Sequence, residues 1–276
     1  MSGSWRVGEE KERPGVYRRH VNAGGSEIAG TAENVGLAVV SGTWGPLNKP
    51  VVTDASDDIA SIIGSGKGAN VITQMRIGGA NTIMVVRVGS GGTPASVTLK
   101  DNKEADVVTL TTLYPTSRAL TVTIKESLED ETQKLAIIQE GTKELEAVAF
   151  TAGATEVAGI VAAFADSVYV KAVKKADGSG TLKNISQSKF SGGTDPTVNT
   201  EAYSAGFEAS EEETWDGVAV DSDDPAVHTL LYTFINRKFE EGMYPYACVG
   251  EPKSVAIDTR IQHAAAFNLS LIHISE

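Results

Sequence analysis

The sequence predicts an α+β fold, in which an α/β core is interrupted by a mostly antiparallel β insertion. Apolar runs typical of strands alternate with helical patterns in residues 35–94 and again in residues 191–268, as in α/β units. Residues 95–190 instead alternate apolar and polar side chains with period two, which is typical of antiparallel strands. Glycine-rich segments at residues 89–94 and 191–196 separate the two patterns.

The first α/β part is predicted to be a compact strand–helix–helix–strand unit. Val35–Val40 is a continuous apolar run, typical of a buried strand. Ser56, Asp57 and Asp58 offer a cap and an acidic first turn to a short helix that carries Ile59, Ile62 and Ile63 and ends at Gly64. A second helix over residues 70–77 ends at Gly78 and Gly79, and residues 81–88 return as a strand.

The insertion is predicted to be a small antiparallel module. Residues 107–111 and 121–124 alternate as strands, and residues 134–139 and 143–150 flank a turn at Gly141, which indicates a hairpin. One helix interrupts these strands, with apolar residues at helical spacing: Val157, Ile160, Val161 and Phe164. We expect the module to fold independently.

The last part returns to an α/β pattern. Residues 215–220 form a predicted buried strand, and Asp224 followed by Pro225 is a typical helix start. The helix carries an apolar face made of Val227, Leu230, Leu231, Phe234, Ile235 and Phe239, and Gly242 ends it. A strand over residues 244–249 and a helix over residues 254–267 follow.

Composition and charge narrow the classes of protein to which the chain can belong. The chain has 276 residues, 41% hydrophobic and 22% charged, an ordinary globular composition that suggests about two domains or one with an insertion. A net charge of −12 disfavours binding to nucleic acid. The sequence shows neither the apolar region of a signal peptide nor a run long enough to span a membrane, so we expect a cytoplasm-like compartment. The single cysteine, Cys248, has apolar neighbours, which predicts an inert, buried thiol.

Two motifs invite a chemical interpretation, and a structural one is favoured for each. Residues 64–68 (GSGKG) lack the hydroxyl residue that a phosphate loop places after its lysine, and a helix rather than a strand precedes them. A helix–helix turn is therefore favoured. Residues 221–224 (DSDD) could hold a hard cation, but Asp224 is needed as a helix cap. The four histidines fit no metal spacing, and Cys248 has no evident base, so we expect no catalytic residue, metal or cofactor.

Several segments of the chain carry a recognisable pattern: residues 13–17 (RPGVY), 36–40 (GLAVV), 44–46 (WGP), 79–88 (GANTIMVVRV), 189–195 (KFSGGTD), 215–218 (WDGV) and 264–268 (AAAFN). Together and in this order, they resemble phage contractile tail sheath proteins of Gram-positive phages and phage-like tail particles. The resemblance covers residues 13 to about 268. It implies a fold made of an arm (residues 1–34), a sheath core (35–94 and 191–268) and an inserted β-rich domain (95–190).

The resemblance also implies a structural, non-enzymatic function. Sheath subunits form stacked hexameric rings around a tail tube, and their arms donate strands to neighbouring subunits. Pro14, Gly15, Val16 and Tyr17 would provide this chain's strand, although composition alone favours a frayed terminus for residues 1–34. The implied partners are other copies of the chain, the tail tube protein, and the baseplate and tail terminator proteins. The implied location is the virion tail, after assembly in the host cytoplasm.

Residues 269–276 depart from the family pattern. Family members continue into a further α/β subdomain and a C-terminal arm, whereas this chain ends in LSLIHISE, which resembles read-through of a sequencing adapter. We therefore expect a C-terminally truncated sheath chain with a non-native tail, or a shortened paralogue. Such a chain should expose Val255, Ile257 and Ile261, and should form monomers or irregular aggregates rather than contractile tubes.

Two other functions stay open at this point. A carbohydrate-binding or adhesin module could use the β insertion, but it would expose aromatic side chains there. Tyr114, Phe150, Phe164 and Tyr169 instead occupy predicted core positions. An α/β enzyme would need a convergent polar pocket and a nucleophile with its base.

Overall fold

The computed structural model describes residues 35–252 and 254–266 and contains strands and helices in a mixed order. The elements in chain order are β1 (Val35–Val40), β2 (Pro50–Asp54), α1 (Ile59–Ile62), α2 (Lys67–Ile77), β3 (Thr82–Arg87), β4 (Ser96–Lys100), β5 (Asp106–Thr112), β6 (Leu120–Glu126), β7 (Gln133–Glu140), β8 (Lys143–Thr151), α3 (Glu156–Ala163), β9 (Val170–Lys174), β10 (Ile185–Lys189), α4 (Thr200–Ala209), β11 (Gly217–Val220), α5 (Pro225–Glu240), β12 (Tyr246–Cys248) and α6 (Ile257–Ala266).

A five-stranded sheet in the order β12-β11-β1-β3-β2 forms the α/β core. The first four strands in this order run parallel, and β2 pairs antiparallel with β3 at one edge. The central position of β1 in the sheet explains why its sequence is apolar throughout. Leu37 and Val39 pack towards α4 and α5, whereas Ala38 and Val40 pack towards α1 and α2, so both faces of β1 are buried.

Two antiparallel sheets form a β-sandwich between β3 and α4 along the chain. One sheet has the order β10-β6-β7-β8 and the other β4-β5-β9. Side chains of both sheets and of α3 share one hydrophobic core, which includes Leu110, Val122, Ile138 and Ile160. The predicted fold class, an α/β core with a mostly antiparallel β insertion, is confirmed.

The joint between sandwich and core is built from buried side chains. Trp44, in the loop after β1, packs into the hydrophobic core of the sandwich. Arg87, at the end of β3, is 1% exposed, and its guanidinium donates to the carbonyls of Gly42 (2.9 Å), Gly45 (2.8 Å) and Pro115 (3.0 Å). Burial lowers the pKa of Arg87 to about 10, so the side chain still carries its charge at neutral pH. The sandwich is therefore tied to the core by both packing and hydrogen bonds.

Several elements differ from the sequence prediction. Helix α2 begins at Lys67 rather than at residue 70, and α6 begins at Ile257 rather than at residue 254. Helix α4 has no counterpart in the prediction, because its buried face combines Tyr203 and Phe207 with the small residues Ala202 and Gly206, which weaken the apolar pattern. A Cβ atom on Gly206 would lie 2.5 Å from Val88, so the glycine lets α4 approach the sheet closely.

Strands β2, β4, β9 and β10 were also missed by sequence reasoning. Pro50 opens β2, and only the pairing of β2 with the distant β3 makes it a strand. The hairpin turn at Gly141 (φ 61°) and the cap at Asp224 are confirmed, and Asp58 is the capping residue within the predicted cap at residues 56–58.

The independent folding of the insertion remains a prediction, and the position of Trp44 allows a more specific one. A fragment of residues 90–195 keeps both sheets but loses the Trp44 side chain from its core. We expect a cooperative thermal unfolding transition at a lower temperature than that of the same sandwich in the full chain, measured by circular dichroism. A fragment without any cooperative transition would show that the boundary, or the module itself, is wrong.

Candidate interaction surface

One face of the five-stranded sheet is open beside α2. Helices α4 and α5 cover the opposite face, but on the α2 side β11 and β12 border a groove of about 700 Å³. Met75 and Ala80 form part of one wall, and Gly217, Ala219 and Tyr246 form part of the other. A parallel sheet is normally covered on both faces, so this groove is a candidate interaction surface.

Two glycines shape the floor of the groove. A Cβ atom on Gly217 would lie 2.2 Å from the ring of Tyr246, and a Cβ atom on Gly36 would lie 2.5 Å from the end of Met75. The aromatic ring and the thioether therefore lie directly over the backbone. Tyr246 is still 63% exposed, because no described segment covers its outer side.

Cys248 lies on this open surface, which corrects the sequence prediction. Its apolar neighbours indicated a buried thiol, but the side chain is exposed and borders the groove. The reason is the position of β12 at the sheet edge. An apolar run predicts a strand, but it does not tell whether the strand lies in the interior of the sheet or at its edge.

Helix α6 adds further exposed apolar surface. Ile257 and Ile261, one turn apart, are 72% and 61% exposed, as expected from the sequence, while Val255 is partly buried. Arg260 anchors the start of the helix by donating to the carbonyls of Val255 (3.0 Å) and Pro252 (2.9 Å). Both β12 and α6 therefore expose apolar or aromatic side chains.

A second candidate is the polar crevice of about 360 Å³ at the carboxyl ends of β1 and β11. Ligands of α/β folds often bind at such a point, where the chain connections leave two neighbouring strands in opposite directions. Asp221 is at its centre, and it accepts from the hydroxyls of Ser41 (2.5 Å) and Tyr203 (2.5 Å). Burial, followed by the hydrogen bond to Asp221, raises the pKa of Tyr203 above its usual range.

The acidic residues of the crevice have structural partners rather than an arrangement for metal binding. Asp221 holds the end of β1 to α4, Asp224 caps α5 by accepting from the Ala226 amide (2.9 Å), and Asp223 pairs with Lys67 (3.6 Å). Among the described residues, no three His, Cys, Asp or Glu side chains are grouped to hold a metal ion. His228 is buried, and its Nε2 lies 2.8 Å from the Ser222 carbonyl oxygen.

The glycine-rich segment at residues 64–68 connects α1 and α2, so the predicted helix–helix turn is confirmed. A Cβ atom on Gly68 would lie 2.0 Å from the carbonyl oxygen of Ser41, so the first turn of α2 packs directly on the end of β1. An anion there would meet this carbonyl and the carboxylate of Asp223. The geometry therefore disfavours phosphate binding.

We accordingly expect no saturable binding of ATP to this chain. Isothermal titration calorimetry with Mg-ATP should give no binding heat, and Lys67→Ala should behave as the unchanged protein does. Binding that is lost in Lys67→Ala would contradict the structural interpretation of residues 64–68.

The arm residues singled out from the sequence, Pro14, Gly15, Val16 and Tyr17, lie outside the described residues, as does the tail at residues 269–276. Sequence reasoning predicted the strand at residues 244–249, but it missed that this strand borders an open groove. The apolar run at residues 244–249 carries no signal for the groove, because the groove depends on which helices cover which strands of the sheet. No helix of the described ranges has the length and apolar character needed to cross a membrane.

Comparison with known proteins identifies the inserted sandwich. Residues 90–195 match the family model of the phage tail sheath protein beta-sandwich domain. The uncharacterized protein YqbK of Bacillus subtilis is 25% identical over 250 residues, which covers 85% of this chain and 52% of YqbK.

Two solved structures share the fold. The sheath tail protein from Desulfitobacterium hafniense superposes with a TM-score of 0.60 at 20% identity and covers 83% of this chain and 52% of its own. The sheath tail protein from Listeria innocua gives a TM-score of 0.60 at 21% identity, over 80% of this chain and 49% of its own. The chain thus spans about half the length of these relatives. It has the fold of phage tail sheath proteins and carries their β-sandwich domain, which confirms the resemblance inferred from the sequence.

Proposed function

We propose that this chain is a non-enzymatic structural subunit of a contractile phage tail sheath. The observation that carries the proposal is the sheath β-sandwich domain at residues 90–195, inserted between β3 and α4 of an α/β core that resembles two sheath tail proteins. In this role the subunits polymerise as stacked hexameric rings around a tail tube. The sheath then shortens and drives the tube through the host envelope during genome ejection.

The assembly proceeds by contacts between identical chains. A strand from the arm, with Pro14, Gly15, Val16 and Tyr17, adds to a sheet of a neighbouring subunit, and backbone hydrogen bonds supply most of the affinity. A contact of this kind joins two different surfaces and therefore propagates into a helical lattice. The free energy for contraction is stored as a difference between two packings of the same subunits, so no nucleotide is consumed.

The joint at Trp44 and Arg87 supports this mechanical role. A subunit that transmits force needs its sandwich fixed to its core, and both side chains are 1% exposed in the joint. The further partners in this role are the tail tube protein at the inner surface, and the baseplate and tail terminator proteins at the two ends. The protein would be assembled in the host cytoplasm and reside in the virion tail.

The aromatic side chains of the sandwich favour this role over carbohydrate binding. Phe150, Phe164 and Tyr169 are buried, and Tyr114 packs edge-on against Trp44 with ring centroids 5.3 Å apart. A carbohydrate-binding surface would instead present aromatic faces to solvent.

Electron microscopy of particles from the strain that carries the gene tests the proposal. Antibodies raised against residues 90–195 should label the outer wall of contractile tails along their whole length, in both extended and contracted particles. Label confined to tail fibres or to the tail tip would favour the adhesin alternative, and particles without label would overturn the sheath role.

A further inference from the structure

Helix α6 turns its apolar side to solvent. Four exposed apolar residues lie at helical spacing on that side, and together they form the α6 stripe: Ile257, Ile261, Ala264 and Ala265. The polar residues Arg260 and His263 lie away from the stripe and are half-buried. This arrangement is the reverse of a typical surface helix, whose apolar side faces the protein. The stripe therefore lacks a partner surface in the described part of the chain.

Polar contacts hold α6 in this orientation. The Arg260 guanidinium donates to the carbonyls of Val255 (3.0 Å) and Pro252 (2.9 Å). The Nδ1 atom of His263 lies 2.7 Å from the Oε1 atom of Glu251. All of these partners belong to the loop that precedes the helix, and among the other described elements none packs extensively against α6. A helix of 10 residues is marginal alone in water, so α6 would gain stability from a partner that covers its stripe.

The groove beside β12 has the properties that such a stripe requires. None of the described residues that line it is charged. Gly79 and Gly250 line it without side chains, and a Cβ atom on either would meet no atom within 4 Å. The backbone of a docked helix can therefore approach these walls closely at the small residues Ala264 and Ala265. Docking of an apolar helix face into an apolar groove is a common mode of protein recognition.

The orientation of α6 indicates that the groove belongs to a second copy of the chain. The stripe is not among the residues that line the groove of its own chain. Only residues 251–256 connect Gly250, at the groove, to the start of the helix. The contacts of Arg260 and His263 close this short loop, so entry of α6 into its own groove would require them to break. A second copy can meet the stripe without that rearrangement.

We propose that the α6 stripe of one copy docks into the groove of a second copy. The contact joins two different surfaces, so each chain provides one helix and one groove and the copies associate head to tail. A contact made by one short helix is smaller than the roughly 800 Å² per partner of a standard interface, so the association is weak and increases with protein concentration. The inference goes beyond the sheath role and does not depend on it, because both surfaces belong to this chain.

Sedimentation velocity under reducing conditions tests the helix side of the contact. The unchanged chain should associate increasingly as its concentration rises. Ile261→Lys should weaken this association at least about tenfold, because docking would bury an unpaired charge. Gln262→Lys adds the same charge at an exposed neighbour outside the stripe and is the matched control. Both variants lower the net negative charge of the chain, so a loss confined to Ile261→Lys does not come from repulsion.

A substitution in β12 tests the groove side. Cys248 is exposed and lines the groove, whereas its neighbour Ala247 does not line it. Cys248→Lys should therefore weaken association at least about tenfold, and Ala247→Lys is the matched control. A mixture of Ile261→Lys and Cys248→Lys should form two-chain complexes and no larger ones. The reason is that the first variant keeps an intact groove and the second keeps an intact helix.

Hydrogen exchange of the unchanged chain gives a readout that needs no substitution. The backbone amides of α6 should gain protection in step with association. Equal protection at every concentration would show that the helix packs within its own chain, and would overturn the second copy. A chain that stays monomeric, oligomers in which α6 gains no protection, an equal loss in a variant and its control, or a mixture without two-chain complexes would each overturn the proposal as well.

Discussion

Glu156→Leu is expected to destabilise the β-sandwich by about 3–5 kcal/mol, because it leaves a buried ammonium without its partner. The Glu156 carboxylate accepts from Lys134 Nζ (3.1 Å) and from the amides of Leu182 and Gly153. The two side chains are only 3% and 9% exposed. Urea denaturation followed by circular dichroism measures the loss.

The double variant Lys134→Met, Glu156→Leu is the matched control. It removes both charges together, so no buried charge stays unpaired, and it should recover much of the lost stability. The recovery is incomplete, because the amides of Leu182 and Gly153 lose their acceptor in both variants. A single variant that loses less than about 1 kcal/mol would show that Lys134 reaches solvent and that the pair is not a buried one.

Trp44→Ala is expected to cost about 3–5 kcal/mol and to uncouple the sandwich from the core. The indole ring contacts Tyr114 and Tyr169, with ring centroids 5.3 and 5.5 Å away, and the guanidinium of Arg118 lies 5.3 Å from its centroid. The Trp44 amide also donates to the Ile63 carbonyl (3.1 Å), which fixes the loop on the α1 side. Removing the ring therefore leaves a cavity at the junction of both parts.

Two probes distinguish uncoupling from a general loss of stability. Trp215 lies in the core of the five-stranded sheet, and with Trp5 also replaced by Phe it is the only tryptophan left in both variants. Its fluorescence then reports that part, whereas far-ultraviolet circular dichroism reports the whole chain. In Trp44→Ala the two denaturation curves should separate, and in Trp44→Phe, which keeps an aromatic ring, they should stay closer together. Coincident curves in Trp44→Ala would show that the remaining contacts, among them those of Arg87, Thr116 and Lys143, suffice to couple the two parts.

Local sequence patterns predicted some helices and strands and missed others. Val35–Val40 and the apolar face of α5 were predicted, because long apolar runs and helical spacing are strong local signals. Helix α4 was missed, because its buried face consists partly of Ala202 and Gly206, which carry little hydrophobic signal. Strand β2 was missed, because its strand conformation comes from pairing with β3 rather than from its own residues.

The candidate surface was predicted only in its parts. The sequence indicated a strand near residues 244–249 and apolar residues on the last helix, and both were found. The apolar neighbours of Cys248 suggested a buried thiol, which was wrong. Local composition indicates a strand but does not tell how many layers of the fold cover it. The predicted arm residues 14–17 lie outside the described residues, so their role stays a proposal.

The sequence by itself determined the order of α/β core and β insertion, the helix caps within residues 56–58 and at Asp224, and the absence of an intact phosphate-loop motif. These features depend on residues that are close together in the chain. Only the tertiary structure decided that Trp44 belongs to the core of the sandwich, that Asp221 holds β1 to α4, and that β12 lies at the edge of the described sheet beside an open groove. Each of these depends on contacts between residues far apart in sequence, and local periodicity does not encode which distant surfaces meet.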